Sequence, residues 1–218
     1  MKLKFYNITE LSEQQYEKYY QKVSPSCRER ADRFRQKADA YRHVMGEVLL
    51  FSCMEEVLGK VPVDKIERNE YGKPYVKGSD DFFFNISHSG DYVVVVCHNE
   101  PVGVDIQEMR TISPAMVKKI FTKEEVTYLA SLSEKERERH KIMLWSMKES
   151  YIKYLGLGLS REMDTFFVDA KRGKAVDMKD CPPKEAEIFV TLWKENYYLS
   201  ICTKNPWDQD EIRRQMGI

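Results

Sequence analysis

The chain has 218 residues, with 35 lysines and arginines balancing 35 aspartates and glutamates. That length suits one large domain or two small ones and can bury a core without cross-links. A formal net charge of zero argues against a general nucleic-acid binder, which carries a basic excess.

Residues 3–8 read as a short strand, and the first ten residues, MKLKFYNITE, lack the apolar stretch of an export signal. Residues 12–22 read as a helix. Pro25 and Ser26 open a helical pattern that runs, as one long helix, to a C-cap at Gly59. Its first half is rich in arginine and its second half is apolar. Turn chemistry at Tyr71-Gly72-Lys73-Pro74 is followed by three β-rich runs, FFFNISHS, YVVVVCHN and VGVDIQEM. The aliphatic run at 93–96 is far too short to span a bilayer, so no membrane association is expected.

Helices resume at Ser113-Pro114, a cap followed by proline at the first helical position. Thr122 with Glu125 forms a capping box. Residues 134–155 make the longest helix of this half, stopped by Gly156 and Gly158. β-rich runs near 164–169, 186–193 and 197–203 complete the pass. Both halves follow the order strand, short helix, long helix, β hairpins. The expected fold is therefore α+β, with similar halves at 1–102 and 103–218 and a boundary near 100–104, packed as one body. Cys27, Cys53, Cys97, Cys181 and Cys202 are scattered and form no CxxC, which reads as reduced thiols of a cytoplasmic protein. Four histidines without ligand spacing argue against zinc.

The stretch 144–155, LWSMKESYIKYL, sets charge among large apolar residues. On a helical wheel Trp145 and Ile152 fall side by side, with Leu144, Tyr151 and Leu155 next to them. Lys148 falls inside that apolar arc, and Glu149 and Lys153 form an i,i+4 pair at its edge. A lysine snorkelling from a core helix is one reading. The other is a cleft in which a carboxylate and two cations face a ligand of several negative charges. Three more stretches favour the cleft. Ser87, His88 and Ser89 form a polar knot at a strand end, although no G-x-S-x-G surrounds the serines, which disfavours a serine hydrolase. Asp105 lies in an apolar run, either facing water from an edge strand or serving as a magnesium ligand. Arg28, Arg30, Arg33, Arg35 and Arg42 read mostly as a solvated face, with a subset able to hold phosphate.

These residues resemble a known family. W-S-M-K-E-S-Y-I-K at 145–153 resembles the W-x-x-K-E-[AS]-x-x-K motif of 4′-phosphopantetheinyl transferases. V-G-V-D-I (102–106), F-N-I-S-H-S (84–89), Y-G-K-P (71–74) and F-T-K-E-E (121–125) are similar to further motifs of that family, in the same order. The match is nearest the Sfp-type branch. It implies two similar α/β sandwich halves related by a pseudo-two-fold axis, a monomer, and an active site in the cleft between the halves. The implied reaction moves the phosphopantetheine arm of coenzyme A to a serine of an apo acyl or peptidyl carrier protein, with Mg²⁺, releasing adenosine 3′,5′-bisphosphate. By motif, Asp105 and Glu149 would hold the metal against the pyrophosphate, and Lys153 would steady the phosphates or take part in proton transfer. Lys148 would add positive potential. Ser87 and His88 would contact coenzyme A, Lys73 would lie along the nucleotide, and Arg30 and His43 would sit near the 3′-phosphate and adenine. Glu125 is a candidate base.

The chain departs from the family at Gln107, where a second acid is common. Strand alternation puts Gln107 on the face of Asp105 and Glu108 on the other, so Gln107 would meet the metal through a neutral oxygen or a water. A non-catalytic coenzyme A or carrier-protein binding module is the alternative that Gln107 favours, while a phosphohydrolase lacks its expected aspartate clusters. For the carrier protein, segment 111–121 with Met116, Lys118, Lys119 and Phe121 offers a basic and apolar surface.

Overall fold

The computed structural model describes residues 1–179 and 184–218, so Cys181 lies outside them. β1 (Lys2–Asn7) leads to α1 (Glu13–Tyr20), which starts at a capping box of Ser12 and Gln15. The helical pattern of 25–59 is not one helix. It breaks into α2 (Pro25–Ala31) and α3 (Lys37–Leu58). The arginine-rich stretch offers few apolar residues to a continuous helix. The break instead lets α2 fold back, so that Cys27 and Ala31 bury against Val44 of α3. Gly59 then ends α3 in the left-handed conformation, as expected.

The turn at 71–74 joins a small hairpin, β2 (Ile66–Arg68) and β3 (Pro74–Val76). The three β-rich runs are β4 (Phe83–Ser89), β5 (Tyr92–His98) and β6 (Val102–Glu108). Next come α4 (Pro114–Ile120) and α5 (Lys123–Ala130), with the caps at Ser113 and Thr122 that the sequence suggested, and α6 (Glu134–Leu155), capped by Ser133. The last part holds β7 (Phe166–Asp169), β8 (Lys174–Asp177), β9 (Lys184–Trp193), β10 (Tyr197–Thr203) and α7 (Gln209–Met216).

The strands form antiparallel sheets in the orders β1-β5-β4 and β6-β10-β9-β8-β7. In both, the first strand pairs with the last, and the last pairs with its predecessor. Strand alternation then sorts the cores. Val93, Val95 and Cys97 of β5 pack on α3, with Met45, Leu49 and Cys53. Val94 and Val96 turn the other way and meet Val104, Ile106, Leu199 and Ile201, so the two sheets face one another. Tyr198 and Cys202 point to the far side, against Leu144, Met147 and Tyr151 of α6. The molecule is thus layered helix, sheet, sheet, helix.

The two sheets also touch edge to edge. Asn85 Oδ1, Ser87 Oγ and Ser89 Oγ of β4 accept the backbone N–H groups of Val104, Ile106 and Glu108 at 2.9, 3.2 and 3.0 Å. Alternate side chains of the N-I-S-H-S run therefore satisfy the edge of β6 that no strand among the described residues pairs. Among the described residues no helix is long and apolar enough to cross a membrane.

Candidate active site

α6 starts at a capping box of Ser133 and Glu136 and ends at left-handed Gly156. Its approach to β6 is set by Gly103. A Cβ built there would lie 2.0 Å from the carbonyl oxygen of Ser150 and 2.3 Å from the nitrogen of Tyr154. With no side chain between them, the helix lies directly on the strand, and the side chains that flank the contact meet.

Asp105 faces α6 from β6 and is buried. Its Oδ1 accepts from Lys153 Nζ at 2.6 Å and from Ser87 Oγ at 3.0 Å. Ser87 Oγ in turn accepts from Lys153 Nζ at 2.8 Å. Asp105 Oδ2 is buried and has no hydrogen-bond partner among the described residues. Glu149, one turn before Lys153, faces the same place. Burial pushes its carboxyl pKa up, the Asp105 charge pushes it further, and Lys153 opposes both. Two carboxylates and one ammonium converge here, with one buried oxygen left over. That donor set fits a hard divalent cation with room for outside ligands.

His88 connects this cluster to an open cavity of about 740 Å³ lined by α2, α3, the β2–β3 hairpin and β4. It lines the cavity. Desolvation lowers its pKa, as do the charges of Lys153 and Arg42, while the charges of Asp39 and Asp105 oppose the shift. The walls carry Arg30, Arg33, Arg42 and Arg68, with the Phe34 ring tilted 5.6 Å from that of His43. His43 Nε2 is buried without a hydrogen-bond partner among the described residues, and burial together with the charges of Arg30 and Arg68 lowers its pKa to about 4. Clustered guanidinium groups around a space of this size suit a polyanionic ligand with a flat ring.

Arg30, His43 and His88 therefore line the cavity, and Asp105, Glu149 and Lys153 adjoin it. Gln107 shares the face of Asp105, opposite Tyr198 where Asp105 is opposite Ser200. Glu108 turns away to the hydroxyl of Tyr197. Four expected residues stand elsewhere. Lys148 is fully buried, and its ammonium donates to both oxygens of Glu125 at 2.8 and 2.9 Å and to the carbonyl of Phe166 at 2.7 Å. Glu125 also accepts from the backbone of Thr122 and Val168. The pair sits in its own core, where Lys148 lies 4.4 Å from the centre of the Phe166 ring. It adds no open charge to the cavity, and Glu125 is too occupied to act as a base. Lys73 points its ammonium away from the cavity, at main-chain carbonyls of Val102, Lys153 and Tyr154. Ser87 is buried as well and acts through Asp105 and Ile106 rather than from the cavity wall.

Sequence reasoning missed Phe34 and Arg68. Phe34 was read as the interior of a helix that in fact breaks there. Arg68 precedes the Asn69–Lys73 turn by one residue, and only the hairpin's docking against α3 carries it to the cavity.

A family model described as the 4′-phosphopantetheinyl transferase superfamily matches residues 101–202. Another, described as the N-terminal part of 4′-phosphopantetheinyl transferases, matches residues 10–100. The 4′-phosphopantetheinyl transferase Sfp of Bacillus subtilis (strain 168) is 33% identical over 206 residues, covering 93% of this chain and 91% of that protein. The 4′-phosphopantetheinyl transferase psf-1 of Bacillus pumilus is 35% identical over 188 residues, covering 84% and 80%. The L-aminoadipate-semialdehyde dehydrogenase-phosphopantetheinyl transferase of Mus musculus is 31% identical over 169 residues, covering 67% of this chain and 52% of that protein. With identity of this extent running through both halves, the chain belongs to the 4′-phosphopantetheinyl transferase superfamily.

Proposed function

We propose that the protein transfers the 4′-phosphopantetheine arm of coenzyme A to a serine of an apo acyl or peptidyl carrier protein and releases adenosine 3′,5′-bisphosphate. The observation that carries this reading is the junction at His88. On one side lies an arginine-walled cavity able to take a phosphorylated nucleotide. On the other lies the Asp105–Glu149–Lys153 cluster, with one buried carboxylate oxygen unmatched. A diphosphate bridging the two would place its reacting phosphorus beside Asp105.

In this reading Arg30 and His43 hold the nucleotide end of coenzyme A, with Arg42 and Arg68, and His88 reaches a phosphate. Lys153 steadies the diphosphate oxygens. Asp105 Oδ2 and Glu149 would hold Mg²⁺, with Gln107 offering a neutral oxygen nearby. When bound, Mg²⁺ supplies charge neutralisation at phosphate oxygens and a template for in-line attack. The burial of Asp105 and the partial burial of Glu149 limit the access of bulk water to that place. The protein acts as a monomer in the cytoplasm. Cys27, Cys53, Cys97 and Cys202, all free and buried, support a reducing compartment.

The test mixes the protein with coenzyme A, Mg²⁺ and a panel of apo carrier proteins, and reads the added arm by mass spectrometry. Asp105→Ala and Glu149→Ala should each lower transfer at least about a hundred-fold, the usual scale for losing a group that stabilises transition-state charge, with circular dichroism unchanged. Coenzyme A bound without product in a single turnover would instead identify a binding module, the reading that Gln107 favours.

A further inference from the structure

The turn 69–73 belongs to the first half of the chain, yet it closes the end of a helix in the second half. A helix leaves its last carbonyls without intrahelical partners, and that end carries partial negative charge. In α6 these carbonyls are met by side chains from the turn. Lys73 Nζ donates to the carbonyl of Lys153 at 2.6 Å and to that of Tyr154 at 3.3 Å. Its third donor reaches Val102 of β6 at 3.2 Å. Asn69 Nδ2 donates to the carbonyl of Gly156 at 2.9 Å.

The turn is itself rigid. Asn69 Oδ1 accepts from the backbone of Tyr71 and Lys73 at 3.0 and 2.8 Å, and Gly72 takes a φ of +85° that L side chains rarely adopt. The fit is close on the helix side too. A Cβ at Gly156 would meet Lys73 Cδ at 3.1 Å. All three N–H groups of one ammonium are thus spent on two elements, α6 and β6. These two elements carry Glu149, Lys153 and Asp105. Lys153 is gripped at both ends, its carbonyl by Lys73 and its ammonium by Asp105 and Ser87.

We propose that Lys73 is a positioning residue, a cationic clamp that fixes the last turn of α6 to the start of β6 so that Lys153 and Glu149 meet Asp105. This rests on the proposed transfer reaction and deepens it, because it gives Lys73 a role that does not touch the nucleotide. The clamp acts through a charge at neutral pH, since burial lowers the Lys73 pKa only to about 8. Loss of the clamp leaves the arginine-walled cavity intact and loosens only the geometry on which turnover depends.

Lys73→Met keeps the aliphatic stem and removes the three donors. Three quantities are to be read from it: the coenzyme A dissociation constant by calorimetry, kcat for transfer, and amide exchange across residues 150–158. We expect a dissociation constant within about two-fold of the parent, kcat lower by at least about ten-fold, and exchange in the last turn of α6 faster by about ten-fold, as loss of buried hydrogen bonds of ordinary strength implies. A dissociation constant weakened about ten-fold with kcat and exchange unchanged would make Lys73 a ligand contact and overturn the proposal. Acetylation of the unaltered protein with acetic anhydride gives an independent arm should the variant fail to fold. Lys73 should be protected where exposed Lys77 reacts, and equal reactivity of the two overturns the clamp. If the unaltered protein transfers nothing, the functional reading fails, while exchange and acetylation still judge the clamp.

Discussion

Asp105 and Gln107 stand two residues apart on one strand face, and their difference in charge would set what the proposed metal site can hold. Asp105 brings a charged oxygen that nothing among the described residues satisfies. Gln107 brings only a dipole. Replacing it by an acid should add a charge to the same face and tighten Mg²⁺. For Gln107→Glu, the Mg²⁺ concentration giving half-maximal transfer should fall by about ten-fold, since affinity for hard cations tracks ligand charge. An unchanged metal dependence would place Gln107 outside the metal's surroundings. Lys148 is the opposite case, a charge inside the motif that serves the core. Lys148→Met leaves the Glu125 carboxylate buried without its partner, and breaking such a pair costs about 3–5 kcal/mol. Urea unfolding should show that loss, and Lys148→Met with Glu125→Gln should recover part of it. Loss of transfer at full stability would return Lys148 to the cavity. Asp105, Glu149 and Lys153 were legible because their motifs travel together in order. The role of Lys148 was half legible. Its place inside the apolar arc was visible on the wheel, but its partner lies 23 residues upstream, and periodicity does not reveal non-local pairs.

Elements show where local patterns stop being informative. The capping boxes at Thr122 and the start of α4 at Ser113 were readable because a cap bonds within three residues. The N-I-S-H-S run reads as the lip of a site, and His88 does line the cavity. Asn85, Ser87 and Ser89, on the alternate face, bind the free edge of β6 instead. Alternation was in the sequence, while the strand it would face was not. The break between α2 and α3 was hidden for the same reason, since helix propensity persists through residues 32–36 and only the burial of Cys27 and Ala31 against α3 rewards a bend. α4 carries a prediction at this scale. Ile120 and Phe121 turn inward to the core, so Phe121 is not part of a docking surface, while Met116, Lys118 and Lys119 stay exposed. If acidic carrier proteins meet this helix, Lys118→Glu with Lys119→Glu should raise KM for the carrier by about ten-fold and leave KM for coenzyme A unchanged. Equal effects on both constants would remove α4 from recognition.

At the scale of the whole molecule, the two sheets repeat one pairing rule, β1-β5-β4 and β6-β10-β9, as the matching order of elements suggested. The additions to the second sheet, β8, and the final helix α7 were not foreseen. α7 shows the core only Ile212 and Met216 among charged residues, too few apolar positions for a periodic signal. The charge on the folded molecule has a consequence for acid stability. All four histidines, His43, His88, His98 and His140, have their pKa lowered, and for each the largest cause is burial. Below the ordinary histidine pKa the unfolded chain binds protons that the folded chain refuses, so stability falls as pH falls from about 6.5. Glu125 and Glu149, whose pKa values are raised, take protons earlier when folded and pull the other way. The sign for a single histidine is therefore best isolated by difference. His43, at about 4, has the widest window, and its ring packs beside Phe34 in a site where an apolar ring can replace it. Urea unfolding between about pH 6.5 and 5 should show the parent losing about 1 kcal/mol more than His43→Phe, a figure discounted for the solvent that reaches the cavity. Parallel curves would mean that His43 titrates alike in the folded and unfolded chain, and that the arginines around it are already screened from the ring.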